Sequence, residues 1–282
     1  MEALTLTNVT KRYPGFTLDN ISLSLPRGCI MGFIGENGAG KSTTIKLVLD
    51  LIRRDSGAIT VLGQDNLRGL SKVKEHVGVV LDESCFPDNL NAVNINLILR
   101  NIYRTWDEDK YWSLLNQFSL PRNKAVKDFS RGMKKKLSIA AALAHDTRLL
   151  ILDEATSGLD PVVRDEIQDV FMDFIQDEGN AIFMSTHIVS DLERVSDYIT
   201  LIHQGKIVFS KGKDELLEEY GILRCSPEDL RAINPKAIMG RRHNSFGVEA
   251  LVLKSQVPAG MTVDRAGIEE IMLYYIKGER AV

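Results

Sequence analysis

This 282-residue sequence predicts an α/β fold with a parallel sheet. Three observations carry the prediction. The apolar run "CIMGFIG" leads into "GENGAGKST" and then into the apolar-periodic "TIKLVLDLI", which reads as strand, glycine-rich loop and helix in succession. Short continuous apolar runs, "HVGVVLD", "LLILDE" and "AIFMST", have the character of strands buried on both faces. Between and after these runs lie helical patterns, the alternation expected of a parallel sheet with covering helices.

The elements follow in order. "LTLTNV" and "ISLSL" alternate apolar and polar positions and predict two early strands, and "AITVLG" is a further short strand after the first helix. From about Asn91 to His145 the spacing becomes three and four residues, in "VNINLILRNIY", "YWSLLNQF" and "KKKLSIAAALAH", which predicts an inserted helical subdomain over about residues 84–147. "PVVRDEIQDVFMDFIQD" is a helix with Pro161 at its first position, where a missing amide hydrogen costs nothing. "VSDLERV" is a helix and "YITLIHQGKIVFS" a hairpin turning at Gln204 and Gly205. Residues 219–282 change in character and predict a small βαββα accessory domain after a first domain of residues 1–218. In its last helix Ile268, Ile271, Met272 and Tyr275 fall on one apolar face, expected against the domain's own sheet or against a partner copy.

Composition excludes several function classes. Apolar residues are 44% and charged residues 26%, as in an ordinary globular protein, and the formal net charge of −3 gives no global field for nucleic acid. Cys29, Cys85 and Cys225 are too scattered for a disulfide framework or a metal cluster, which points to a reducing, cytosolic setting. "MEALTLTNVTKRY" has neither a basic n-region nor an apolar h-region, and no apolar run approaches the roughly 18 residues of a membrane span. Work at a membrane would therefore need a second, spanning chain.

The chemistry begins at Gly35, Glu36, Asn37, Gly38, Ala39, Gly40, Lys41, Ser42 and Thr43. This is a full G-x-x-x-x-G-K-S match in the strand–loop–helix context that the motif requires. Glycines let the backbone wrap and point its amides at phosphate oxygens, and the helix start adds partial positive charge. Lys41 can reach β- and γ-phosphates, and the Ser42 hydroxyl can ligate Mg²⁺. "LLILDE" supplies the other half: Asp153 can reach Mg²⁺, and Glu154 projects to where an attacking water would sit. The Asn-Lys-x-Asp guanine reader of GTPases is missing, since "NKAV" has Val126 in the Asp position.

"DFSRGMKKK" sets a puzzle: lysines at a helix start oppose the macrodipole. The order Tyr13, "GENGAGKST", "FSRGMKKK", "LLILDEATSGLD" and "STH" answers it, because it resembles the nucleotide-binding subunit of an ABC transporter over about residues 1–218. The resemblance implies a P-loop cassette with a RecA-like core, an antiparallel β subdomain and the helical insert. It also implies two subunits paired head to tail, with Ser130 and Gly132 of one closing on the ATP held by the other. In the same way Tyr13 would stack on adenine, Ser157 to Asp160 would form the loop crossing between sites, and His187 would contact the γ-phosphate and hold the water. Arg131 and Met133 depart from the signature's usual Gly and Gln. The place of the usual Mg²⁺-sensing Gln falls to Asp82 or Glu83, and Glu83 is taken as a candidate metal ligand.

The finer likeness is to bacterial ABC-2 type exporters of the Ytr-like and antimicrobial or phenol-soluble-modulin peptide group. It rests on "WDEDKYWSLLNQFSLP", "DFSRGMKKKLS", "DPVVRDEIQD" and "THIVSDLERVSDYI". It implies an ATPase, expected as a homodimer with ATP and Mg²⁺, at the cytoplasmic face of the membrane beneath multi-span permease subunits. An apolar cleft near Asp82 to Asn89 would pass motion to the permease. The alternative is a soluble ABC ATPase acting on ribosomes or DNA. Against it stand the single cassette, the absence of a long heptad run and the acidic balance.

Overall fold

The computed structural model describes residues 1–82, 86–244 and 247–278. In chain order the elements begin with β1 (Glu2–Tyr13), β2 (Phe16–Pro26), β3 (Cys29–Ile34), α1 (Lys41–Val48), β4 (Ser56–Val61), β5 (Gln64–Asp65), α2 (Leu70–Val73) and β6 (Val77–Val80). The helical segment holds α3 (Ala92–Leu99), α4 (Glu108–Gln117) and α5 (Arg131–Leu143). Next come β7 (Leu149–Asp153), α6 (Pro161–Ile175), β8 (Ala181–Thr186), α7 (Val189–Val195), β9 (Tyr198–His203), β10 (Lys206–Gly212) and α8 (Lys213–Glu219). The last segment holds β11 (Tyr220–Cys225), α9 (Pro227–Arg231), β12 (Ile238–Asn244), β13 (Gly247–Leu253), β14 (Val263–Arg265) and α10 (Ile268–Lys277).

Three sheets result. The central one has the order β10-β9-β3-β8-β7-β6, parallel from β9 to β6 with β10 antiparallel at the edge. β7 and β8 are buried at every position, which is why their sequences are continuous rather than alternating. The sheet β2-β1-β4-β5 is antiparallel and lies over one face of the central sheet, so its strands alternate. Leu4, Leu6, Leu23 and Leu25 pack there in one cluster with Met31, Phe33, Ile151 and Phe183. The opposite face is covered by α5, α6 and α7 through Leu137, Ile139, Ile167, Phe171 and Leu192.

Several helix boundaries have local causes. Asp160 caps α6 by accepting from the amides of Val162 and Val163 at 3.1 Å each, with Pro161 at the first helical position. The pattern that predicts helix to Tyr103 gives one only to Leu99, because the following turn stacks Tyr103 on His145 with ring centroids 4.1 Å apart. The third sheet, β12-β13-β11-β14, contains the expected βαββα order with the added three-residue β14, too short and polar for a periodic signal. Its last helix, α10, buries Ile268, Ile271 and Tyr274 and packs on β12, β13 and also α7.

Candidate functional site

Parallel strands bring their carboxyl ends to one edge, and the chemistry collects there. Ile34 at the end of β3 pairs with Thr186 of β8, and Ser185 pairs with Asp153 of β7. From Ile34 the chain turns through the phosphate loop into α1. Gly40 caps that helix at φ +117°, a left-handed angle that disfavours any side chain, and a Cβ there would lie 2.9 Å from Leu18. A Cβ on Gly35 would lie 2.4 Å from the carbonyl oxygen of Ile202, so the loop's back rests directly on β9. The β9–β10 turn adds a hydrogen bond from the Gly205 amide to the Ala39 carbonyl at 3.0 Å. The loop is thus braced from behind while its front stays open.

Lys41 is the pivot of this edge. Its side chain is 6% exposed, and its Nζ donates to the carbonyls of Gly35 at 2.7 Å and Glu36 at 3.3 Å. It also lies 3.5 Å from Oε1 of Glu154. Asp153 ends β7 in a buried position where its Oδ1 accepts from the Ser185 hydroxyl at 2.5 Å. Glu154 then leaves the strand at φ +50°, a conformation costing a non-glycine residue on the order of 1–3 kcal/mol and frequent at active sites. Its amide donates to the Ser185 carbonyl at 3.1 Å, which holds the turn. The turn aims the carboxylate at two groups at once: Oε1 toward Lys41, and Oε2 as acceptor for Nδ1–H of His187 at 2.8 Å.

A cleft of about 610 Å³ opens in front of these groups. Glu36, Asn37, Gly38, Gly40, Lys41, Ser42 and Thr43 line it, together with Asp82, Glu154, Ser157 and His187. Ala39 is buried behind the loop. The aromatic ring on the lining is that of Phe16. Tyr13 is paired with Phe16 across the β1–β2 turn and sits outside the lining, with Lys11 Nζ 5.5 Å from its ring centroid. Glu83 lies outside the described residues, whereas Asp82 faces the cleft while held by Arg131 at 3.4 Å and Lys135 at 3.6 Å.

The lysines of α5 each find an acid or a carbonyl within the chain. Lys134 pairs with Asp88 at 3.4 Å, and Lys136 pairs with Glu166. Lys135 donates to the Leu81 carbonyl at 2.8 Å, and its burial pushes its pKa below the ordinary lysine value against the pull of Asp82. These pairs offset the unfavourable dipole and leave the helix start itself to Ser130, whose Oγ accepts from the Met133 amide at 3.2 Å. Ser130 and Gly132 lie outside the lining of their own chain's cleft.

The sequence and the fold are similar to those of known proteins. The ABC transporter family pattern matches residues 18–157. The uncharacterized ABC transporter ATP-binding protein YhcH of Bacillus subtilis (strain 168) is 30% identical over 283 residues, covering 97% of this chain and 91% of its own length. The chain belongs to the ABC transporter family, as an ATP-binding subunit. The lantibiotic transport ATP-binding protein SrtF of Streptococcus pyogenes is 36% identical over 77% of this chain and 94% of its own length. A solved "ATP binding subunit of ABC transporter" superposes with a TM-score of 0.69 at 27% identity, over 76% of this chain and 91% of that one.

ATP is therefore the nucleotide that this ABC ATPase binds and hydrolyses, and the fold is the P-loop ABC cassette. The structure brings Lys41, Glu154 and His187 into direct contact and puts Ser42 and Thr43 on the same cleft. Phe16 is the lining residue that motif reading missed. Both aromatics flank Pro14 and Gly15, and nothing in the sequence says which ring turns toward the loop.

Proposed function

We propose that this ATPase subunit dimerises around two ATP molecules and powers export through separate transmembrane permease subunits. The single observation that carries the catalytic reading is Glu154 held between His187 at 2.8 Å and Lys41 at 3.5 Å at the mouth of the phosphate loop. In that position Glu154 takes the proton of the attacking water, and His187 orients the pair and meets the γ-phosphate. Lys41 carries three N–H donors, which turn from loop carbonyls to β- and γ-phosphate oxygens when nucleotide arrives. Phe16 or Tyr13 gives the adenine an aromatic face.

Mg²⁺ fits the donors available. A hydroxyl on Ser42 and a carboxylate on Asp153 are hard oxygen ligands, and Mg²⁺ is ordinarily held by one or two of these together with phosphates and water. Among the described residues no cluster of three or more His, Cys, Asp or Glu is arranged to hold a metal unaided. Bound Mg²⁺ would neutralise phosphate charge. Ser130 and the amides around Gly132 would close on the γ-phosphate of the second subunit, since they head an exposed helix start outside their own cleft. Residues 1–218 form the nucleotide-binding unit in this reading, with the helical subdomain at about 84–147, and residues 219–282 the accessory unit.

No helix among the described residues is long and apolar enough to cross a membrane. An apolar groove of about 600 Å³ beside β6, lined by Leu49, Leu51, Val77, Val79, Leu81 and Ile102, supports docking of a cytoplasmic helix of the permease. Leu51 and Ile102 are 60% and 63% exposed there. This groove runs on the Leu81 side, short of the segment Asp82 to Asn89. The subunit would then sit at the cytoplasmic face of the membrane, and the lantibiotic-transport relative supports a peptide cargo.

The test uses Glu154→Gln, loaded with Mg-ATP, as bait in detergent-solubilised membranes of the native host. Recovery of a multi-span membrane protein is the expected result. Recovery of ribosomes or soluble factors without any membrane protein would replace transport by a soluble role.

A further inference from the structure

We propose that Asp191 is a positioning residue for ATP hydrolysis, bolting the loop of Glu154 to the helix that follows His187. The proposal rests on the reading of Glu154 as base and His187 as its partner. Asp191 lies in the first turn of α7 and is 1% exposed. Its Oδ2 accepts from the Thr156 hydroxyl at 2.6 Å, and its Oδ1 accepts from Gln168 Nε2 at 3.1 Å. Arg164 Nη1 stands 3.5 Å from the same Oδ1. Thr156 is fully buried and Gln168 nearly so.

The placement gives the network its meaning. Thr156 is two residues past Glu154 and one before Ser157, which lines the cleft. Asp191 is one helical turn past His187. The contact from Glu154 to His187 is therefore one rung between two chain segments, and the Thr156–Asp191 hydrogen bond is a second rung behind it, out of reach of water. Glu154 sits at φ +50°, so its turn needs outside support to hold its carboxylate on line. A buried carboxylate is costly unless paired and fully hydrogen-bonded, and here α6 supplies both services through Arg164 and Gln168. A packing role alone would be met by an apolar side chain. A charge at this depth, spent on the loop of the base, points to a demand for geometry.

The test is steady-state ATPase on the full chain with Thr156→Val, Thr156→Ser, Asp191→Asn and the double variant Thr156→Val/Asp191→Asn, each scaled to folded protein from its thermal midpoint. Thr156→Val keeps the shape and removes the hydroxyl, so it is the variant least exposed to misfolding. Loosened positioning should lower kcat by about tenfold or more, with KM for ATP within about twofold. Thr156→Ser should stay within about threefold of wild type, and the double variant within about twofold of the slower single variant, because Thr156→Val removes only a hydrogen bond that Asp191→Asn already disrupts. A Thr156→Val enzyme with wild-type kcat, or a Thr156→Ser enzyme as slow as Thr156→Val, overturns the proposal. Glu154→Gln and His187→Ala run alongside. If those two turn over normally, the reading of the site fails and takes the proposal with it. If they are inactive while Thr156→Val is normal, positioning by Asp191 alone is wrong.

Discussion

Glu154 shows how much of the site depends on one residue leaving a strand. Asp153 is still in β7 and bonded to Ser185, whereas Glu154 turns out and meets Lys41 and His187. Glu154→Gln keeps the shape and removes the carboxylate proposed as base, so turnover should fall by roughly 100-fold or more while ATP binding persists. Single-turnover hydrolysis beside equilibrium nucleotide binding checks both halves, and near-normal turnover would remove Glu154 from the role. Two neighbouring aromatics are candidates for the adenine contact. Phe16 lines the cleft and Tyr13 does not, so Phe16→Ala should weaken ATP binding by about tenfold, in line with roughly 1–3 kcal/mol for a base on an aromatic ring. Tyr13→Ala should change it by less than about twofold; titration of both variants with a fluorescent ATP analogue decides. The phosphate-loop residues were legible because backbone wrapping, ammonium and hydroxyl chemistry fix their spacing in sequence. The Phe16 wall was not, because ring direction depends on how the hairpin packs on the loop.

At the scale of elements, the seam between the helical segment and the central sheet carries a titratable group. His145 is 3% exposed, stacks on Tyr103, and donates Nδ1–H to the Glu75 carbonyl at 2.8 Å. Burial holds its pKa below the ordinary 6.5; Glu75 pulls it upward, and Lys110 and His76 add to the depression. A histidine with a depressed folded pKa binds its proton more readily in the unfolded chain. Its contribution to stability is therefore full above pH 6.5 and lost as pH falls through the folded value. His145→Gln should narrow the gap in urea midpoint between about pH 7.5 and pH 5.5, and an unchanged gap would place the pH dependence elsewhere. Long periodic elements such as α5 and α6 were readable from sequence. The burial of Lys135 and Lys136 within α5 was not, since a lysine run reads as a solvated face until Leu81, Asp82 and Glu166 arrive from distant segments. α8 and β14 escaped because neither is long enough to show a period.

At the scale of the whole molecule, one apolar cluster runs from the central sheet into the last segment. Leu192, Phe209 and Leu216 belong to it, and so do Tyr220, Ile222, Leu251, Ile268 and Ile271. The seam is also polar in places. The Ile268 amide donates to Glu193 at 3.2 Å, and Tyr275 sits edge-on to Phe209 with its hydroxyl bonded to Tyr220 at 2.9 Å. Sequence left open whether the apolar face of α10 meets its own sheet or a partner copy. Ile268, Ile271 and Tyr274 are covered within the chain, by the sheet and by α7. Removing residues 220–282 would uncover the buried side chains of Leu192, Phe209 and Leu216, each worth about 1.5–3 kcal/mol when fully buried. Even partial exposure of three such groups approaches the marginal stability of a typical domain, about 5–15 kcal/mol. α7 would also lose the amide partner of its Glu193, two residues past Asp191 and six past His187. A chain ending at Glu219 should therefore melt at least about 5 °C lower than the full chain. Its ATPase should fall by more than its folded fraction does. Calorimetry with turnover on the same samples measures both. An unchanged midpoint with full turnover would make the last segment an appendage, free of the helix that carries the histidine.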